Sequence, residues 1–393
     1  MNRPLHTICI THMFLEIFFN VQVALIPAYL REFHLTLVEA SLVAAIPSTL
    51  QLVMNIPAGL LVNRVNTRHM LSTSMLIEGF SAMLLSQTTS FWSLVVCASL
   101  MRLSSPIYHI SGLSQIGELS SKDQTGRSMG FHNAMGSLGS SLGLVSLSLF
   151  LSTLGWRWAY LFWSIPIILW GVVLRRSAKF DDKPAVAKQR TRLGVKAAVA
   201  SAISTGFLVF LISISLREIG VTGASTFMTT YLVRTREISE SMASLVFGLG
   251  PFMGIVGALA GGYLCGKMSA RKMLSLVIIG SVATLTTLSV VSQIVVLSVF
   301  YVVYSFFISA AYVPMNTMVL EITSPKGRGA AFSVFFFTEG LMVSVAPVIT
   351  GSVVQSSGAL WYFFPFAIVF FLAGLTILQR VPSKWHSTLS QRG

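Results

Sequence analysis

Apolar residues run along this chain in blocks of about twenty, broken by short charged or Gly/Pro-rich stretches. The blocks fall near 6–30, 37–62, 68–88, 91–118, 126–153, 156–175, 203–232, 240–265, 271–292, 295–320, 328–354 and 359–380. A bilayer core of about 30 Å takes roughly 20 apolar residues as helix, so each block is long enough to span it. The pattern predicts an all-α integral membrane fold of twelve transmembrane helices. A span with its loop uses about 33 residues, so twelve fill the chain and leave no length for a soluble catalytic head. The membrane part must carry the function, and an enzyme is not expected.

One polar interruption differs from the others. From Arg175 to Lys196 the chain holds eight basic and two acidic residues, with Asp181, Asp182 and Pro184 among them, and reads as an irregular linker. It divides the chain into a first half, 1–175, a basic linker, 176–196, and a second half, 197–393. The halves are related. Gly59-Leu-Leu-Val-Asn-Arg64-Val-Asn-Thr-Arg68-His-Met-Leu71 aligns without gaps with Gly262-Tyr-Leu-Cys-Gly-Lys-Met-Ser-Ala-Arg271-Lys-Met-Leu274, at a spacing of 203. The same spacing pairs Glu118 with Glu321, each followed by a short loop to Gly-Arg, and a shift of one pairs Glu16 with Glu218. Tandem six-helix halves are a transporter architecture with a central substrate site.

Composition agrees: 54% of the residues are hydrophobic and 10% charged, too few charges to cover a soluble surface. The net charge of +14 would fit nucleic acid, but 21 of the 27 basic residues fall in alternate loops on one side. By the positive-inside rule both termini should be cytoplasmic, and nucleic-acid binding is excluded. Cys9, Cys97 and Cys265 lie far apart in apolar runs, without a disulfide framework or metal spacing. The first span lacks a small-residue cleavage site and reads as retained rather than as a removed signal.

At the loop motif the chain resembles the major facilitator superfamily over nearly its full length. Gly59, Arg64 and Arg68 match that family's loop between helices 2 and 3, while Asn63, Asn66 and Thr67 depart from it. Arg102 matches a family arginine in helix 4. Gly130, Gly139 and Gly143 match part of the helix 5 motif of its antiporters, whereas Leu144, Leu147 and Ser148 stand where the motif has Pro and further glycines. Tyr108-His-Ile-Ser-Gly112 and His132-Asn-Ala-Met-Gly136-Ser-Leu-Gly139 resemble the fosmidomycin-resistance-like efflux branch more narrowly. The resemblance implies a cavity lined by helices 1, 4, 7 and 10, a small-molecule substrate, alternating access in the inner membrane, contact with membrane lipids, a monomer, and no cofactor.

Charged groups in mid-span cost roughly 2.5–3.5 kcal/mol on insertion scales, so each needs a partner or a wet cavity. Glu16, Glu78, Arg102, Arg217, Glu218 and Glu339 are such groups. His12, Glu16 and Asn20 share one face of span 1, and Arg102 and His109 one face of span 4. At about 1.5 Å per residue, Glu16 and His109 lie at similar depth and could meet, with Arg102 nearer the level of Asn20. The repeat sets Tyr312 opposite His109, with Asn316 on the same face.

Two readings stay open. In one, Glu16 and Glu339 couple protons while His12, Asn20, Arg102, His109, Arg217, Tyr312 and Asn316 form the substrate site, the two arginines holding an anionic or polar group. In the other, these groups are fixed ion pairs and hydrogen bonds between helices. His12 and Glu16 have a metal-like spacing, but no third ligand is apparent and no metal is expected. Gly136 joins Gly130, Gly139 and Gly143 in a track on span 5 that lets another helix come close. Gly59, Asn63, Arg64, Arg68, Glu118 and Glu321 form a candidate cytoplasmic gate, in which Asn63, in place of a carboxylate, should hold less firmly. Proton-coupled efflux leads; a proton-linked importer and a lipid flippase of the same fold are the alternatives.

Overall fold

The computed structural model describes residues 3–61, 65–119, 125–176, 204–323 and 328–381. Those residues are helical, with no strand among them. Among the described residues, eleven helical spans are long and apolar enough to cross a membrane. The helix Thr67–Leu85 falls short of that apolarity, because it carries Arg68, His69, Glu78 and several hydroxyl residues. Residues 177–196 of the basic linker and the loop residues Asn63 and Arg64 lie outside the described residues, as does the side chain of Glu118.

The predicted spans 2, 3, 5, 6, 7, 8, 9, 11 and 12 each form one main helix: α4 (Leu37–Leu61), α5 (Thr67–Leu85), α8 (Thr125–Thr153), α9 (Trp156–Arg176), α10 (Thr205–Arg234), α11 (Glu240–Cys265), α12 (Ala270–Val290), α15 (Arg328–Ser357) and α16 (Phe363–Leu378). Spans 1, 4 and 10 are broken. Span 1 becomes α1 (Arg3–Glu16), α2 (Val21–Ala24) and α3 (Ile26–Glu32); span 4 becomes α6 (Phe91–Arg102) and α7 (Ser104–Leu119); span 10 becomes α13 (Ile294–Ala310) and α14 (Tyr312–Ile322). Proline accounts for two of the breaks. Pro106 and Pro314 have no N–H to offer the carbonyl four residues back, so the helix gives way at Leu103 and at Ala311 and restarts within two residues.

The duplication is visible in the backbone. Gly155 and Gly358, 203 residues apart, both have positive φ (92° and 72°) and make the turns before α9 and before the short 3-10 turn Leu360–Tyr362 that leads into α16. A side chain is disfavoured in that conformation, so glycine is required at both turns.

Packing divides the chain differently from the duplication. One compact unit comprises Met1–Gln189 and Thr226–Phe252; the other comprises Arg190–Ser225 and Met253–Gly393. The adjoining ends of α10, from Thr226, and of α11, to Phe252, thus belong to the first unit, and polar bonds hold them there. Thr229 donates to the carbonyl of Val23 at 3.2 Å, an acceptor that Pro27 leaves free. The Ser241 hydroxyl lies 3.0 Å from that of Ser148 and donates to the Ser148 carbonyl at 2.8 Å. Ser244 donates to the carbonyl of Leu144 at 3.0 Å. Arg31 pairs with Glu240 through both carboxylate oxygens. Within the first unit α8 lies tight on α1. A Cβ at Gly139 or Gly143 would overlap the carbonyl oxygens of Met13 or Ile17, and one at Gly136 would strike the ring of His12. Gly130 has nothing within 4 Å of such a Cβ. The close-packing track therefore runs from Gly136 to Gly143, and Gly130, expected as part of it, lies beyond the contact.

Candidate functional site

The break in span 1 follows Glu16. Between Glu16 and Val21 the amides turn back three residues, Phe19 N–H to the Glu16 carbonyl and Val21 N–H to that of Phe18, which leaves the Phe19 carbonyl outside the helical ladder. Arg102, the last residue of α6, donates to that carbonyl at 2.6 Å and stacks on the Phe19 ring at 4.7 Å. The proline break of span 4 thus ends a helix where a guanidinium can also meet the negative pole of the helix dipole. Asn20 donates to Ser140 of α8 at 2.9 Å.

Glu16 is the centre of the cluster. His12 Nε2 lies 3.4 Å and His109 Nε2 3.8 Å from its Oε1. Similar depth in spans 1 and 4 puts Glu16 and His109 within reach of each other, and the structure brings them together. His12 Nδ1 is 2.8 Å from the carbonyl of His132, and His109 Nδ1 is 3.0 Å from that of Ser105. A carbonyl only accepts, so the network assigns the Nδ1 hydrogen to both rings and leaves both Nε2 atoms facing the carboxyl. The His12 ring is stacked on His132 at 3.8 Å and parallel to Tyr108 at 5.4 Å. Tyr108 in turn donates to the carbonyl of Ile8 at 2.8 Å and meets His132 Nε2 at 3.1 Å. In the sequence His132 and Tyr108 stand out only through a family resemblance; no period or spacing shows that they buttress His12.

Glu78, on α5, is 4% exposed, and its carboxyl shares the Ser104 hydroxyl with the carbonyl of Met101. The polar face of α5 is thus turned onto the break in span 4. A cavity of about 10 Å³, lined by Glu16, Phe19, Glu78, Arg102, Ser104 and Ser105 among others, separates the two carboxyls and has room for one water. The signal that could have located this place is Pro106, which marks an irregular backbone in mid-membrane, where a cavity or a polar partner is required.

The donor atoms of His12, Glu16 and His109 lie within 4.8 Å of one another, so the structure supplies the third group that the spacing lacked. The Arg102 charge acts on the same carboxyl, which disfavours a cation there.

The second unit has its own cluster. Arg217 is 1% exposed and donates to Glu218 at 3.1 Å and to the carbonyl of Ile308, just before the break in span 10, at 3.2 Å. Thr222 donates to the other oxygen of Glu218 at 3.4 Å. Glu339 feels the charges of Glu218 and Arg217. Tyr312 opens α14 and is half exposed, with Asn316 one turn further on. Of the gate residues, Arg68 lies in the first turn of α5, Glu321 is exposed at the end of α14, and a Cβ at Gly59 would meet nothing within 4 Å. Arg271, the repeat partner of Arg68, donates to the carbonyl of Val381 beyond α16.

Comparison with known proteins gives a consistent result. The family model described as Major Facilitator Superfamily matches residues 8–282 and 210–392. A nitrite extrusion protein of Bacillus subtilis (strain 168) is 23% identical over 337 residues, 85% of this chain and 78% of that protein. Two crystal structures of a bacterial homologue of the human lysosomal transporter Spinster share the fold. The inward-facing, occupied form has a TM-score of 0.80 at 14% identity over 99% of this chain and 100% of that one. The inward-facing, unoccupied form has a TM-score of 0.77 at 15% identity over 96% and 94%.

Proposed function

The chain belongs to the major facilitator superfamily, and from that premise we propose that it is a proton-coupled exporter of a small organic solute, working by alternating access in the inner membrane with both termini in the cytoplasm. That it is a multi-pass membrane protein of a transporter family follows from the family and the apolar helices. Export draws on the extrusion protein to which it is similar.

The observation that carries proton coupling is the triad around Glu16. With Nδ1 of both histidines committed to backbone carbonyls, lone pairs would face lone pairs at 3.4 and 3.8 Å unless a proton sits among Glu16, His12 and His109. The arrangement is built to hold one proton and to lose its cohesion when the proton leaves. Arg102, held on the Phe19 carbonyl, is the charge that can then turn to Glu16. Glu339 is the equivalent proton group of the second unit. His12, Asn20, Arg102 and His109 on one unit, and Arg217, Tyr312 and Asn316 on the other, are the substrate contacts in this reading. Gly136, Gly139 and Gly143 let α1 and α8 bear on each other without intervening side chains.

The test is transport in proteoliposomes under an imposed pH gradient. Glu16→Gln should abolish gradient-driven transport while keeping substrate binding and exchange of labelled for unlabelled solute. Full gradient-driven transport by a folded Glu16→Gln protein would falsify the assignment. The direction of net flux in the same vesicles separates export from import, and a fluorescent-lipid translocation assay separates both from a flippase.

A further inference from the structure

The charges of the second unit do not balance. In mid-span, among its described residues, it has one guanidinium, Arg217, against two carboxyls, Glu218 and Glu339, and no histidine. Arg217 is committed to Glu218 and to the Ile308 carbonyl. The Glu339 carboxyl has no hydrogen-bond or ion-pair partner among the described residues, although the charges of Glu218 and Arg217 reach it. Beside this cluster two buried polar atoms have no partner: Nε of Arg217 and the hydroxyl of Tyr304, a residue only 3% exposed that lies in the field of both Arg217 and Glu218. Glu339 itself is half-buried, and a lone carboxylate in mid-span is disfavoured by the apolar surroundings. The first unit can meet a second negative charge with His12 or His109; the second unit has no such group in mid-span among its described residues. What neutralises it must arrive from outside, either as a proton or as a positively charged solute.

The sign of the coupling distinguishes the possible cargoes. An anion bound beside a carboxyl tightens that carboxyl's hold on a proton, and the two then travel together. A cation loosens it, so that each expels the other, and linkage makes the effect reciprocal. Export driven by proton entry needs expulsion. We propose that the exported solute is an organic cation, an amine or onium compound, whose positive charge takes the proton's place at Glu339 beside Glu218, with the Tyr304 hydroxyl as a further acceptor. The two arginines alone point to an anionic cargo; at Arg217 the two carboxyls of Glu218 and Glu339 reverse that sign. This assignment rests on the proton-antiport reading.

The experiment uses the purified full chain in weakly buffered detergent with a pH indicator, and the probes are tetraphenylphosphonium, ethidium and benzyltrimethylammonium against nitrite and phenylphosphonate. At least one cation should bind with release of protons. Glu339→Gln should cut that release at least twofold, and Glu339→Asp should restore it, with thermal melting confirming that both variants fold. Failure of every cation to bind, undiminished proton release in Glu339→Gln, or binding of either anion with proton uptake overturns the proposal. Proteoliposomes separate the two claims. Gradient-driven export of an anion keeps proton coupling and removes the cation, whereas export of a cation indifferent to the pH gradient keeps the cation and removes the coupling.

Discussion

At the scale of single residues, the polar groups of both units are held mainly by backbone atoms. Arg102 holds the carbonyl of Phe19, Arg217 that of Ile308, His12 that of His132 and His109 that of Ser105. Such partners leave no trace in residue types, which is why Glu16 was legible as a mid-span acid while its buttress, His132 and Tyr108, was not. Glycine shows the same limit. Four glycines on one helix read as one packing track, yet a Cβ at Gly139 would overlap the Met13 carbonyl and one at Gly130 would meet nothing within 4 Å. Gly139→Ala should therefore destabilise the protein by about 1–3 kcal/mol, the usual cost of overpacking. Gly130→Ala should be neutral or stabilise by up to about 1 kcal/mol through helix propensity. Thermal melting in one detergent checks both, and equal losses from the two would refute a contact confined to Gly136–Gly143.

At the scale of elements, the breaks in spans 1, 4 and 10 place the polar groups. In lipid every backbone group must find a partner, so a helix is interrupted only where side chains, water or another helix can serve the freed atoms. At Leu103 and Ala311 the cause is a proline three residues on; Arg102, at the first of these, serves the Phe19 carbonyl freed by the break in span 1, and Arg217 serves the Ile308 carbonyl just before the second. Pro106→Ala should restore the N–H that the Arg102 carbonyl lacks, straighten span 4 and carry the Arg102 side chain off the Phe19 carbonyl. The expected outcome is a protein with an equal or higher melting temperature and at least tenfold slower transport. A variant that transports at the native rate would show that the break is incidental.

At the scale of the molecule, the α10–α11 hairpin crosses the boundary that the duplication draws. Its Thr229, Glu240, Ser241 and Ser244 bond to residues of the first half. In the alternating-access reading these contacts must part in each cycle, since a helix pair fixed to the other half cannot take part in a rocking motion. Cysteines at Ser148 and Ser241, whose hydroxyls are 3.0 Å apart, are close enough for a disulfide. Oxidation of that pair should stop transport and reduction should restore it, with each single cysteine variant unaffected; unimpeded transport by the cross-linked protein would mean that the hairpin contact is permanent.

The sequence by itself determined the helical class, the positions of the spans to within a few residues, the duplication at a spacing of 203, and which ionisable groups lie in mid-span. These follow from local rules, because the lipid core demands about twenty apolar residues and internal backbone bonding of every segment it admits, and a charge there stands out wherever it sits. Only the tertiary structure decided that Glu78 meets Ser104, that His109 and His12 converge on Glu16, that Arg217 must serve Glu218 while Glu339 goes without, and that Arg31 finds Glu240. Those pairings depend on the rotation and approach of helices whose outer faces are as apolar as the lipid, so that the hydrophobic effect cannot choose among them. Close packing at glycines and single hydrogen bonds to broken backbone make the choice instead, between residues as many as 209 positions apart.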